Sequence, residues 1–233
     1  MPRYGESSTW LEYGSFRCTV KTAGKFRRRP GGALGGSVGT FGQGGLRGFG
    51  HCGGKGISVK RSGRILVVCH CLLNANAKVY PLAGTAGVYE DVLKGHIEAG
   101  VGLLQLPCPE LSYLGINRWG MSREQYDHPN FRLHCEWLLE STLNQMEAFA
   151  QAGFEILGIM GMDGSPNCGV NRTCLGYTGG EIGAPGGVAQ QVDALRMSDG
   201  PGVFMEVFRA ALEKRGIRAR FLAVDEAIPS SGV

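Results

Sequence analysis

From Ile65 onward, short apolar runs alternate with longer amphipathic segments, and this alternation restricts the fold more than any other feature of the chain. Ile65-Leu-Val-Val is an unbroken apolar run of the kind found in a parallel strand covered on both faces. Leu103-Leu-Gln-Leu, Glu155-Ile-Leu-Gly-Ile-Met and Phe221-Leu-Ala-Val read as three further strands. Between them, residues 85–99 read as a helix with Val88, Val92 and Ile97 near one face. Residues 131–152 read as a longer one, with Cys135, Leu138, Leu139, Thr142, Met146, Phe149 and Ala150 on its inner stripe. Phe204, Val207, Phe208, Ala211 and Leu212 mark a last helix by their i, i+3, i+4, i+7, i+8 spacing. Gly100, Gly153 and Gly216 stop these three helices. Residues 164–187 read as a glycine-rich loop. Strands alternating with helices predict right-handed crossovers and a parallel sheet. The expected fold class is therefore α/β, a three-layer Rossmann-like open sheet, mainly parallel, of about four strands.

Residues 1–62 have a different texture. They hold sixteen of the 39 glycines and eleven Lys/Arg against two Asp/Glu, whereas residues 63–233 carry thirteen Lys/Arg against eighteen Asp/Glu. The net charge of +4 thus hides a basic head on a mildly acidic body. A head so rich in glycine buries too little apolar surface to offset chain entropy. We expect residues 1–62 to be a disordered, low-complexity Gly/Arg-rich extension, and residues 63–233 to form a single α/β domain. The Arg27-Arg28-Arg29 run and Gly45-Leu-Arg-Gly-Phe-Gly resemble Gly/Arg tails that bind RNA, but a flexible or non-native extension explains them as well. One expectation is that translation really begins near Val59. The pI is set by this head, so it does not argue for nucleic-acid binding, and no nucleic-acid partner is expected.

Eight cysteines raise the question of disulfides. The chain opens on no apolar signal segment, and no apolar run approaches the ~20 residues that span a bilayer. A cytoplasmic location without a membrane partner is the expectation. In a reducing compartment, scattered cysteines are more often buried, catalytic or metal-bound than paired.

Three of them, Cys71, Cys108 and Cys168, each follow the end of an expected strand. In an open parallel sheet the strand C-termini share one edge, and ligands bind in the crevice outside it. Thiols distant in sequence can therefore meet there, and soft thiolates suit an iron–sulfur cluster, zinc or copper. Cys71 lies in Cys69-His70-Cys71-Leu72-Leu73-Asn74, and on an extended segment Cys69 would point to the same side, making it a rival ligand. Either can instead be a small buried hydrophobe. Cys108 lies between Pro107 and Pro109, and Glu110 follows closely enough to act at the same place. In a partly dry pocket that carboxyl would have a raised pKa and could donate a proton; otherwise it is a solvated or helix-capping carboxylate. Cys168 lies in Asp163-Gly164-Ser165-Pro166-Asn167-Cys168-Gly169, where Ser165 offers a hydroxyl for a water or a substrate atom. A plain Asx/Pro turn explains that segment nearly as well. Cys174 is a fourth ligand or a spectator, Cys135 reads as core, and Cys18 and Cys52 sit in the head. His70 reads as a hydrogen-bonded residue at a strand end, with a base or zinc ligand as the alternative. No phosphate loop or dinucleotide fingerprint is present.

Cys71-Leu72-Leu73, Cys108-Pro109-Glu110 and Ser165-Pro166-x-Cys168-Gly169 resemble the three signature motifs of a domain family that includes the bacterial 2-thiouracil desulfurases. The chain is most similar to a desulfurase-related branch described as desulfidases. That branch shows Cys-His-Cys-(Ile/Leu)-Leu-Asn, Gln-Leu-Pro-Cys-Pro-Glu followed by Tyr-Leu-Gly, and Gly-(hydrophobic)-Asp-Gly-Ser-Pro-x-Cys-Gly-Val. Here those are Cys69 to Asn74, Gln105 to Gly115 and Gly161 to Val170. Arg118-Trp119, Tyr126-Asp127 and residues 202–205 also resemble the branch, so the likeness spans about residues 63–228. The resemblance implies a [4Fe–4S] cluster held by Cys71, Cys108 and Cys168, with one iron left open. It also implies removal of sulfur from a small thiolated compound, with Glu110 and Ser165 as proton-handling or water-positioning groups. Asn167 stands where the desulfurase motif commonly has serine, and Asn74 where it has glycine, which leaves the substrate open. A non-catalytic zinc- or cluster-binding module, or a sulfur carrier, is the alternative.

Overall fold

The computed structural model describes residues 60–181, 183–184 and 187–225. The expected head over residues 1–62, with Cys18, Cys52 and the suggested start at Val59, lies almost wholly outside the described residues. The described chain forms a four-stranded parallel sheet in the order β2-β1-β3-β6. Its strands are β1 (Arg64–Val68), β2 (Gly102–Gln105), β3 (Glu155–Met162) and β6 (Phe221–Val224). Leu66, Val67 and Val68 are all fully buried, as expected for a strand covered on both faces. The α/β fold class expected from the alternation is the fold observed.

Helical segments join the successive strands of the sheet. A short helix α1 (His70–Leu73) follows β1, then α2 (Glu90–Glu98) leads to β2. Three helices follow β2: α3 (Pro109–Leu114), α4 (Arg123–Tyr126) and the long α5 (Pro129–Gln151). After β3 come β4 (Arg172–Leu175), α6 (Gly187–Ala194) and β5 (Arg196–Asp199), then α7 (Val203–Lys214). The chain moves one way from β1 to β2 and the other way from β2 to β3 and on to β6. Right-handed crossovers then place α2 on one face of the sheet and α5 with α7 on the other. The packing of α5 against α7 agrees with that arrangement.

Three details differ from the sequence reading. In α2 only Leu93 is buried, while Val88 and Ile97 are about half exposed. The helix begins only at Glu90, and Leu93 rather than Val88 or Ile97 joins the buried core, with Val92 packed against it, so the face chosen from spacing alone is displaced. In α5 the buried stripe is Phe131, Cys135, Leu139, Thr142, Leu143 and Met146. Leu143 joins it and Ala150 is exposed. The glycine-rich segment also carries regular structure, since β4 and β5 pair antiparallel as a separate two-stranded sheet. Short strands between glycines have too little apolar periodicity to stand out in sequence.

Candidate functional site

The chain direction reverses at β1, so the crevice between β1 and β3 is the place where a fold of this order binds ligands. The three strand-end cysteines arrive there from three loops. Together with Glu110 and Ser165, Cys71, Cys108 and Cys168 line one cavity of about 310 Å³. A second, shallower depression of about 650 Å³ on the outer face of α5, around Trp137 and Leu138, holds none of them.

The loop after β1 separates its two thiols. Cys69 is still tied to the sheet, its amide donating to the Met160 carbonyl at 2.9 Å. Its own carbonyl accepts from the Leu72 amide at 3.2 Å, and the chain turns into α1. Cys69 and Cys71 therefore do not lie on one extended segment, as the sequence reading supposed. Cys69 is fully buried in the core, whereas Cys71 faces the cavity, and their Sγ atoms are 3.5 Å apart. The turn also sets His70 against the Leu106 backbone, and burial lowers its pKa.

Cys108 is the N-cap of α3, with Pro109 as the first helical residue. Its Sγ accepts from the Leu111 amide at 3.4 Å. Proline at this position costs no hydrogen bond, because the first amides of a helix have no partner within it. This geometry presents the thiol at the cavity wall and sets Glu110 in the first turn behind it.

Cys168 sits in a loop closed by its own polar groups. Asp163 Oδ1 accepts from the amides of Val170 at 2.8 Å and Asn171 at 2.9 Å. Ser165 Oγ accepts from the amides of Cys168 at 2.9 Å and Asn167 at 3.2 Å. Where the sequence reading offered a plain Asx/Pro turn, the local turn is closed by Ser165 Oγ and Asp163 reaches forward to residues 170 and 171; Ser165 lines the cavity as well. Gly169 allows the loop to fold this tightly, since a Cβ there would stand 2.2 Å from the Arg172 carbonyl oxygen. At Gly161 a Cβ would meet the Cys168 carbonyl oxygen at 2.4 Å. These glycines admit the loop's own backbone rather than a ligand.

Glu110 is held by donors on both oxygens. Arg118 Nε donates to Oε2 at 3.1 Å, and Asn167 Nδ2 donates to Oε1 at 3.1 Å. Arg118 is itself buried and anchored to the Ala77 carbonyl at 2.7 Å. The carboxylate therefore accepts a hydrogen bond on each of its oxygens. Sequence reasoning gave no role to Arg118 or to the Asn167 side chain. Their separation from Glu110 by eight and 57 residues leaves no local signal. Asn167 is fully buried, and among the described residues neither its Oδ1 nor the buried Tyr126 hydroxyl has a hydrogen-bond partner.

The thiols crowd one another in a dry setting. The hydrogen-bonding contact with Cys168, then burial, holds the Cys69 pKa well above the usual range, against an opposing pull from Cys71. Contact with Cys69 and burial do the same for Cys71, and burial raises Cys108. Cys69 draws Cys168 down, but burial outweighs it and leaves the thiol at about 11. Several thiolates gathered here would repel one another. Among the described residues, no three His, Cys, Asp or Glu side chains are gathered so as to hold a single metal ion. Cys174 lies on β4 outside the cavity, and Cys135 is buried in the core on α5.

No family model and no solved structure matches the chain. It is 34% identical over 114 residues to the uncharacterized protein MJ0003 of Methanocaldococcus jannaschii. The match covers 48% of this chain and 72% of the archaeal protein. The chain belongs to the MJ0003 family. Membership in the MJ0003 family carries no activity with it, so function rests on the cavity and its residues. Among the described residues, no helix is long and apolar enough to cross a membrane.

Proposed function

We propose that the protein is a cytoplasmic, oxygen-sensitive desulfidase that depends on a [4Fe–4S] cluster and removes sulfur from a small thiolated compound. One observation carries the reading: three thiols from three strand ends share a single cavity with Glu110 and Ser165. Three soft thiol donors on one cavity are a set whose chemistry suits an iron–sulfur cluster. Cys71, Cys108 and Cys168 would hold the cluster. When bound with three protein thiolates, such a cluster supplies an open iron that serves as a Lewis acid toward the substrate's sulfur.

The chain's own groups account for the rest of a hydrolytic desulfuration. Glu110, with Arg118 and Asn167 on its two oxygens, is fixed in place and accepts a proton from the attacking water. Ser165 Oγ accepts two backbone amides, which leaves its O–H directed elsewhere and able to hold that water or the substrate's polar atom. Water replaces sulfur on carbon, and sulfur leaves as sulfide, so no electron donor is needed.

A closed structural site, whether in a zinc-binding module or a sulfur carrier, is the competing reading, and Cys69 favours it by placing a fourth sulfur 3.5 Å from Cys71. Anaerobic purification separates the two. The desulfidase reading expects a brown protein with about four irons per chain that releases sulfide from 2-thiouracil or another thiolated heterocycle. A colourless protein with stoichiometric zinc would refute it.

A further inference from the structure

Cys69 and Cys71 are free thiols whose sulfurs stand 3.5 Å apart, and the proposed chemistry uses only Cys71. His70 between them is the first residue of α1. A helical residue sets the Cα atoms on either side of it about 5.4 Å apart. That lies within the roughly 4.4–6.8 Å over which a disulfide closes without backbone movement. An extended segment would set them about 6.6 Å apart, near the upper limit. An S–S bond needs about 2.05 Å, so the sulfurs must approach by a further ~1.5 Å. Cys69 cannot supply that motion, because it is fully buried and its amide is tied to the Met160 carbonyl at 2.9 Å. Cys71 can, since its side chain borders the cavity and a change of χ1 rotamer carries the sulfur across such a gap.

We propose that Cys69 and Cys71 are a redox-active dithiol, which a hydroperoxide closes to a disulfide in the metal-free chain and which thereby shields Cys71 from irreversible oxidation. The peroxide reaches Cys71 through the cavity, whose wall does not include Cys69. The Cys71 sulfur attacks one peroxide oxygen, the O–O bond breaks, and a sulfenic acid and one water form from hydrogen peroxide. The Cys69 sulfur then attacks the sulfenic sulfur, the S–O bond breaks, and the oxygen leaves as a second water. Two thiols have lost two electrons and two protons, and one hydrogen peroxide has become two waters. A second thiol so close intercepts the sulfenic acid before more peroxide carries it to sulfinic acid. Both thiols are held above the usual pKa range, so the pair reacts slowly and serves as a guard, not as a rapid peroxide sensor. The bond closes a loop of three residues, which adds little stability, and a dithiol reductant opens it again. The pairing uses the chain's own sulfurs alone, so it does not depend on the cluster reading.

The test treats the full chain, stripped of metal by a chelator, with hydrogen peroxide and then with iodoacetamide. Trypsin cuts after Arg64 and Lys78, so both sulfurs fall in one peptide, residues 65–78. Wild type is expected to give this peptide unalkylated and lighter by two hydrogens. When dithiothreitol precedes the iodoacetamide, the same peptide should be doubly alkylated. In Cys69→Ser and Cys69→Ala, the peroxide should instead leave Cys71 as sulfinic or sulfonic acid, which dithiothreitol does not reverse. A wild-type peptide that stays open to double alkylation after peroxide, or a Cys71 joined to Cys108 or Cys168, would overturn the inference. Equal over-oxidation of Cys71 in wild type and variants would overturn it as well. The wild-type mapping decides the pairing even where a variant fails to fold. A chain that closes and reopens the bond yet takes up no iron would support this inference while refuting the cluster reading.

Discussion

The loop edge of the sheet and the α5–α7 face are built from opposite materials. Behind the sheet, Phe131, Leu139 and Met146 of α5 and Phe204 and Phe208 of α7 are fully buried hydrocarbon. The surface above them is tied by ion pairs, Arg215 reaching Glu140 at 2.7 Å and Arg132 reaching Asp127 at 2.6 Å. At the loop edge the buried groups are thiols, an unpartnered amide oxygen and an ion pair between Arg118 and Glu110. Hydrocarbon burial stabilises a fold directly, whereas buried polar groups do so only when fully satisfied. The first region thus carries stability, and the second keeps reactive groups in place at some expense to it.

Substitutions should divide along the same line. The largest effect is expected from Cys108→Ser, which removes a cavity thiol: iron uptake should be almost lost while far-UV circular dichroism stays native. Cys174→Ser, outside the cavity, should leave iron unchanged, and a matching loss there would erase the distinction. On the other side, Phe131→Ala should cost about 3–5 kcal/mol in denaturant unfolding, while iron per folded chain is kept.

Gly169→Ala brings the two regions together. Its new Cβ would overlap the Arg172 carbonyl, so about 3 kcal/mol of stability should be lost along with metal affinity. Full metal retention at wild-type stability would show that the loop is not held as tightly as described.

The smallest effect concerns the ionic surface. Arg132, then Arg123, holds the Asp127 carboxyl below the usual carboxylate range, against the opposing effect of burial. Its folded value is thus lower than its unfolded one, so its contribution is complete above the unfolded value and is lost as pH falls through the folded one. Asp127→Asn should cost about 1 kcal/mol near neutral pH and converge with wild type in strong acid. A constant difference across that range would remove the electrostatic explanation.

The sequence made the two regions legible to different degrees. Unbroken or helix-period apolar patterns revealed β1, α5 and α7, because burial leaves a local mark at each position. The strand-end thiols were legible for another reason: parallel topology alone brings strand C-termini to one edge. The turn after Cys69, the Arg118–Glu110–Asn167 contacts and the β4–β5 pair were not, since each depends on residues that meet only after folding.

An anaerobic crystal structure of the iron-loaded protein, with iron located by its anomalous scattering, tests the central claim most directly. The account predicts four irons in the cavity bridging Cys71, Cys108 and Cys168, with the fourth iron free of any protein ligand. A lone ion, or a cluster closed by a fourth protein sulfur from Cys69, would contradict it.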